Sequence, residues 1–134
     1  MEVLVINLPS RTDRQKIISR ELNKLNINFV FHNARDLRQF NEDFTQTRTE
    51  TLYAIWYSHV SALEEFLDSD SEWVLIFEDD ARFLVDMAIT EINWVLEDLP
   101  EDFDICKFGA NLLTPVEKVT DYLNRTRMSY ALHA

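Results

Sequence analysis

A chain of 134 residues with 46% hydrophobic and 12% aromatic side chains is long and apolar enough for one core, and too apolar for a disordered segment. A formal net charge of −11 argues against a nucleic-acid partner and against adhesion to an anionic membrane, because both need a basic face. One cysteine, Cys106, allows no internal disulfide, and one glycine, Gly109, leaves no room for the glycine-rich loops that cradle phosphates in other folds.

Met1-Glu2-Val3-Leu4 has neither a basic stretch nor a long apolar run, so no signal peptide is read there, and no apolar run is long enough for a membrane span. With the unpaired cysteine this fits a reducing, cytoplasmic setting. Val3–Ile6 is a continuous β-branched run, the pattern of a buried parallel strand. Asn7–Thr12 is a turn broken by Pro9 and Ser10. A helix is expected over Asp13–Leu25, capped by Ser10 or Thr12, with Ile18, Leu22 and Leu25 inward. Asn28–Phe31 reads as a second strand, and the polar, aperiodic stretch Asn33–Arg48 as a loop long enough to border a site. A strong helix follows over Thr49–Leu67, with Leu52, Ile55, Trp56, His59, Val60, Leu63, Phe66 and Leu67 on the stripe taken as inward. Trp73–Phe77 is a third strand, Asp86–Leu96 a third helix, Asp104–Phe108 a fourth strand, Gly109–Asn111 a turn, and Met128–Leu132 a last strand. Trp56, Trp73 and Trp94 read as core or half-buried residues, and Cys106 as an inert strand residue.

Strands alternating with helices predict an α/β fold over residues 1–134, a single domain with a mainly parallel sheet and helices on both faces. Ligands of such sheets lie outside the carboxyl ends of the strands. Two segments with chemistry emerge there, Asn7–Arg14 after the first strand and Glu78-Asp79-Asp80 after the third. Three adjacent carboxylates at the end of an apolar strand repel one another unless a cation or a set of donors compensates. Mg²⁺ and Mn²⁺ are held by one or two such groups together with substrate phosphates. A phospho-acceptor fold also carries acids at strand ends, but its acidic pair follows the first strand, where Asn7-Leu8-Pro9 stands here.

Several motifs, in order, resemble glycosyltransferase family 25, the lipopolysaccharide-biosynthesis and collagen-galactosyltransferase type. Val5–Arg14 is similar to that family's opening INL-x-x-R-x-DR. Ser58-His59 is similar to its SH motif, Glu78-Asp79-Asp80-Ala81 to its EDDA element, and Phe103–Gly109 to its wDilkLG. Two differences stand out. Leu52-Tyr53-Ala54-Ile55 occupies the place of the family's E-I-G-C. The chain also stops at Ala134, where such relatives continue, so a C-terminal truncation is expected.

The resemblance implies a GT-A-like (Rossmann-like) fold and metal-dependent transfer of a hexose, galactose or glucose, from a UDP-sugar to a saccharide or protein hydroxyl. It implies Mn²⁺ or Mg²⁺ at the acidic motif, with Asp80 and Glu78 as metal residues, because alternate residues of an extended chain share a side. Asp79 then faces away or supports the site. Arg11 and Arg14 are candidates for the nucleotide, since a guanidinium grips phosphate bidentately or stacks on a base. Asn7 contacts the nucleotide or bonds the turn. Asp36 contacts ribose or uracil, or belongs to a polar loop. His59, on the stripe taken as inward, orients a carboxylate more readily than it catalyses. Ser58 has no visible relay and is no nucleophile. The alternative to an enzyme is a non-catalytic remnant serving as a binding or assembly module. An apolar edge left by the early stop would favour a homodimer.

Overall fold

The computed structural model describes residues 1–36, 38, 47–83, 89–108, 110–112, 115–120, 123–125 and 129–131. Part of the expected 33–48 loop, the start of the expected third helix at 86–88, Gly109, and the ends of the expected last strand at 128 and 132 lie outside these residues. The chain forms two compact units, Met1–Phe83 and Leu84–Ala134.

The first unit runs β1 (Glu2–Asn7), α1 (Thr12–Lys24), β2 (Val30–Asn33), α2 (Arg48–Leu67), β3 (Val74–Glu78). The strands lie in the order β2-β1-β3, and both pairings are parallel. Leu4 pairs with Val30 and Asn7 with Asn33 on one side. Glu2 pairs with Val74 and Ile6 with Glu78 on the other. β1 is buried from Val3 to Asn7, as a central strand covered on both faces must be. Right-handed crossovers from β1 to β2, and back across to β3, put α1 and α2 on opposite faces. Leu4 and Ile6 pack with Ala62 of α2 and with Ala34, Val74 and Ile76. Val3 and Val5 point the opposite way. Two residues on, Asn7 is reached by Gln15 of α1. Ile18 and Leu22 of that helix are fully buried, and each such side chain contributes about 1.5–3 kcal/mol through burial.

The helix ends follow local chemistry. The cap of α1 is Arg11, whose side chain makes no capping bond, so neither Ser10 nor Thr12 caps it. At the other end Ile27 N–H donates to the Leu22 carbonyl (3.0 Å) and Asn26 N–H to the Asn23 carbonyl (3.1 Å). Asn26 takes φ 55°, a left-handed position usually given to glycine. In α2, Thr47 and Glu50 close a reciprocal capping box.

Three expectations for this unit need correcting. β2 starts two residues later than Asn28, because its partner β1 carries the parallel pairing on to Asn33. The face that α2 buries is made by Ser58 and Ala62. Small side chains let the helix approach the sheet closely, and the expected stripe divides: Leu52, Trp56, Leu63 and Leu67 are exposed, while Ile55, His59, Val60 and Phe66 are half-buried. Trp56, at 57% exposed, is therefore not a core residue.

The second unit holds α3 (Ile89–Glu97), β4 (Ala110–Leu112), β5 (Glu117–Lys118), β6 (Asn124–Arg125) and β7 (Ser129–Ala131). β4 pairs with β7 and β5 with β6, both antiparallel. Asp104–Phe108 is irregular and not a strand, with Ile105 and Phe108 exposed. The strand begins at Ala110, in place of the expected turn. Trp94 is 62% exposed and not a core residue. Cys106, outside any strand and half-buried, has its thiol pKa pushed up by burial.

Candidate functional site

The carboxyl ends of β1 and β3 lie side by side in the first unit, and the polar groups that leave them form one cluster. Asp79, in the turn after β3, is only 8% exposed. One of its carboxylate oxygens accepts from Asn7 Nδ2 at 2.6 Å and the other from Arg14 Nη1 at 2.7 Å. The same Arg14 nitrogen also donates to Asp80 Oδ2 at 3.2 Å. The bond to Asp79 and the field of both carboxylates push the Arg14 pKa up. Asn7 is 2% exposed and fully engaged. Its Oδ1 accepts from Gln15 Nε2 at 2.7 Å, which fixes the amide so that its N–H₂ faces Asp79, and its carbonyl accepts from Ala34 N–H at 2.9 Å. The central strand, the first helix and the acidic turn are thus tied by charge-assisted bonds.

Glu78 and Asp80 turn to different partners. Glu78 ends β3 on the α2 side, and its Oε1 stands 3.2 Å from His59 Nε2. Asp80 turns to Arg14, with its side chain 38% exposed. Among the described residues no group of three or more His, Cys, Asp or Glu side chains is arranged to hold a metal. The donor set fits a different kind of cation site. Asp80 is an open carboxylate whose described partner is Arg14 alone, and a hard cation held by one such group and completed by phosphates suits it better than an all-protein cage.

The other predicted residues are engaged locally. Arg11 grips Asp13 with two bonds, 3.0 and 2.8 Å, on the exposed start of α1. Those bonds hold the Asp13 carboxyl at about 2, against an ordinary value of 3.8. Asp36 is clasped by Arg38 at 2.8 and 2.7 Å, which lowers its pKa. The structure therefore brings together Asn7, Arg14, Asp79 and Asp80. It keeps the Glu78–His59 pair on the opposite face of the sheet, and Arg11 and Asp36 in separate ion pairs. Sequence reading missed Gln15. Its signal was a polar residue at the spacing of Ile18 and Leu22 on the inward stripe of α1.

A second polar chain resembles a hydrolytic relay. Ser61 Oγ lies 2.8 Å from His32 Nε2, and His32 Nδ1 contacts Glu65. Ser61 sits inside α2, where backbone N–H groups are spent on the helix, so no oxyanion donors flank it. Its hydroxyl also donates to the Ser58 carbonyl at 3.0 Å. The chain is a bridge from β2 to α2.

A small parallel α/β sheet with a polar cluster at its strand ends defines the structural class. The model of glycosyltransferase family 25, described as LPS biosynthesis protein, matches residues 1–101, and the chain belongs to that family. The matched span holds the opening motif, Ser58-His59 and Glu78–Ala81, while Phe103–Gly109 lies beyond it. Comparison with curated proteins and with solved structures finds no match. No described helix is long and apolar enough to cross a membrane.

Proposed function

We propose that this chain is a GT-A-type domain that binds a UDP-sugar at the ends of β1 and β3 and transfers its hexose, galactose or glucose, to a saccharide or protein hydroxyl. The observation that carries this reading is Arg14, a guanidinium at the strand ends beside one buried and one open carboxylate. Open α/β sheets bind ligands at that edge, and an arginine there suits a diphosphate. In this reading Arg14 contacts the donor phosphates, and Arg11, already at the surface, joins it by exchanging Asp13 for phosphate. Asn7 and Gln15 hold Asp79, which keeps Arg14 aimed. Glu78 and His59 meet sugar hydroxyls, and Asp36 meets ribose or uracil. As the bond to the anomeric carbon breaks, negative charge grows on the departing diphosphate, and a guanidinium already in place stabilises it. Mn²⁺ or Mg²⁺ would be held by Asp80 with the phosphates and would supply further neutralisation of that charge; Glu78, expected to share the ion, turns instead to His59 on the other face of the sheet. We place the domain in the cytoplasm, take residues 1–134 as one donor-binding domain, and extend the proposal to a homodimer.

Calorimetry with UDP, UDP-galactose and UDP-glucose, with and without Mn²⁺, tests this. Binding strengthened by Mn²⁺ and weakened about tenfold by Arg14→Met or Asp80→Asn is expected, the size of one lost charge-assisted bond. No binding to any of the three with Mn²⁺ present refutes it. A second reading, a donor-binding module without catalysis, is favoured by Leu52 and Ala54 standing where the family has glutamate and glycine. A chain that binds UDP-hexose but never releases UDP in the presence of saccharide acceptors is that module.

A further inference from the structure

We infer that the groove between α1 and β2 holds the phosphate group of a phosphorylated saccharide, the acceptor of the transfer. The inference rests on the proposed function, which needs an acceptor held beside the donor corner. The groove is open and has a volume of about 840 Å³, inside the range of roughly 300–1,000 Å³ that small-molecule sites occupy. Lys16, Arg20 and Lys24 stand along it at four-residue spacing, neighbours on one face of α1. β2 contributes the half-buried Phe31, set edge-on to Phe29 at 5.2 Å. Among the described residues no carboxylate lines the groove, in a chain with 24 acidic residues and 13 basic ones.

Cations four residues apart on a helix repel one another, and the repulsion weakens the helix unless an anion offsets it. For the other cations of this segment the chain supplies one. Arg11 is paired with Asp13, Arg14 with Asp79 and Asp80, and Lys24 with Glu21 at 3.1 Å. The side chains of Lys16 and Arg20 are exposed and have no hydrogen-bond or ion-pair partner among the described residues. Two neighbouring positive charges therefore face the concavity without an offset.

A phosphate monoester answers both of them. It carries about −1.5 to −2 near pH 7 and offers three oxygens, so one group takes the Lys16 ammonium and the Arg20 fork together. A carboxylate has one charge and two oxygens, which a single arginine satisfies bidentately, and the lysine is left over. Nucleic acid and anionic bilayers meet the field of the whole chain, whose net charge is −11, whereas a small anion meets the local one. The rest of the groove suits a sugar. Phe31 and the alkyl stems of the cations give an apolar surface for its C–H face, and the Asn23 and Gln15 amides are partners for its hydroxyls. Gln15 also joins the groove to the donor corner, because its Nε2 donates to Asn7 while its Oε1 has no partner among the described residues. Arg20 is five residues further on, about 7.5 Å along the helix axis, and the sugar spans that distance from corner to phosphate.

Calorimetry of the full chain with glucose-6-phosphate, glucose, glucuronate and inorganic phosphate tests the inference. Glucose-6-phosphate is expected to bind more tightly than the other three. Lys16→Gln and Arg20→Gln each weaken it about fivefold, the upper range for an exposed charge contact. Lys16→Arg keeps the affinity, and UDP affinity is unchanged in all three variants. Neither glutamine variant lowers the urea midpoint, since each relieves a repulsion, so lost binding is not lost folding. The inference is overturned if glucose-6-phosphate does not bind, if its affinity ignores both glutamine variants, or if glucuronate or phosphate alone binds as tightly. Binding of phosphatidylglycerol vesicles through Lys16 and Arg20, with no sugar phosphate bound, overturns it in favour of a lipid surface. Absence of UDP binding with Mn²⁺ present sinks the proposed function instead, and the sugar-phosphate titration still judges the groove.

Discussion

Arg14 holds two carboxylates at once, and its removal tests how the first unit keeps its strand ends together. Arg14→Met preserves the aliphatic stem and the helix propensity while deleting the bonds to Asp79 (2.7 Å) and Asp80 (3.2 Å). Asp79, with its side chain only 11% exposed, is left with the Asn7 amide as its described partner. Breaking a fully buried pair costs about 3–5 kcal/mol. Arg14 is 36% exposed and Asp80 38%, so solvent screens part of the first bond and most of the second. The expected loss is about 1.5–2.5 kcal/mol, or roughly 1 M in urea midpoint for a small domain. A cycle with Asp79→Asn isolates the pair, and a coupling of about 1–2 kcal/mol is expected. An Arg14→Met chain within about 0.5 kcal/mol of the native one, or a coupling near zero, refutes the argument.

Three further perturbations have defined outcomes. Asn26→Ala replaces a residue that tolerates the left-handed region with one that does not, at φ 55°, and should cost about 1 kcal/mol in urea unfolding, whereas Asn26→Gly should cost none. His32→Ala removes the bridge from β2 to Ser61 and Glu65 and should cost about 1–2 kcal/mol by the same measurement. The Asp13 carboxyl titrates near 2 because Arg11 donates to it, below its ordinary 3.8. A depressed carboxylate stabilises the fold above its unfolded pKa, so this contribution is present above pH 3.8 and fades as pH falls toward 2. Carbon-detected NMR should show that midpoint, and Arg11→Gln should return it toward 3.8.

The first unit was legible because its signals are local and strong. Val3–Ile6 admits no pattern but a buried strand, and the stripe through Ile18 and Leu22 fixed the inward face of α1. For α2 the period was readable and the phase only in part, since Ile55, His59, Val60 and Phe66 are half-buried while Leu52, Trp56, Leu63 and Leu67 are exposed. Large apolar residues advertise a core, but the sheet accepted the small pair Ser58 and Ala62. That choice depends on how closely two backbones approach, which periodicity does not encode. Asp104–Phe108 failed for a related reason, since a strand is defined by its partner and an alternating run cannot supply one. At the site, the acidic turn and Arg14 were readable from their positions at strand ends. The ion pairs of Arg11 with Asp13 and Asp36 with Arg38 were not, because several short-range partners compete for each guanidinium. Gln15 escaped because a lone amide on an apolar stripe has meaning only once Asn7 is known to face it.

Arg14 is a countercharge with two claimants. An anion that drew its guanidinium away would leave Asp79 with the Asn7 amide and take from both carboxylates the charge that Arg14 supplies. Under the proposed function, uptake of a donor diphosphate and of a cation at this corner would then be reciprocal, each raising the affinity for the other by the same factor.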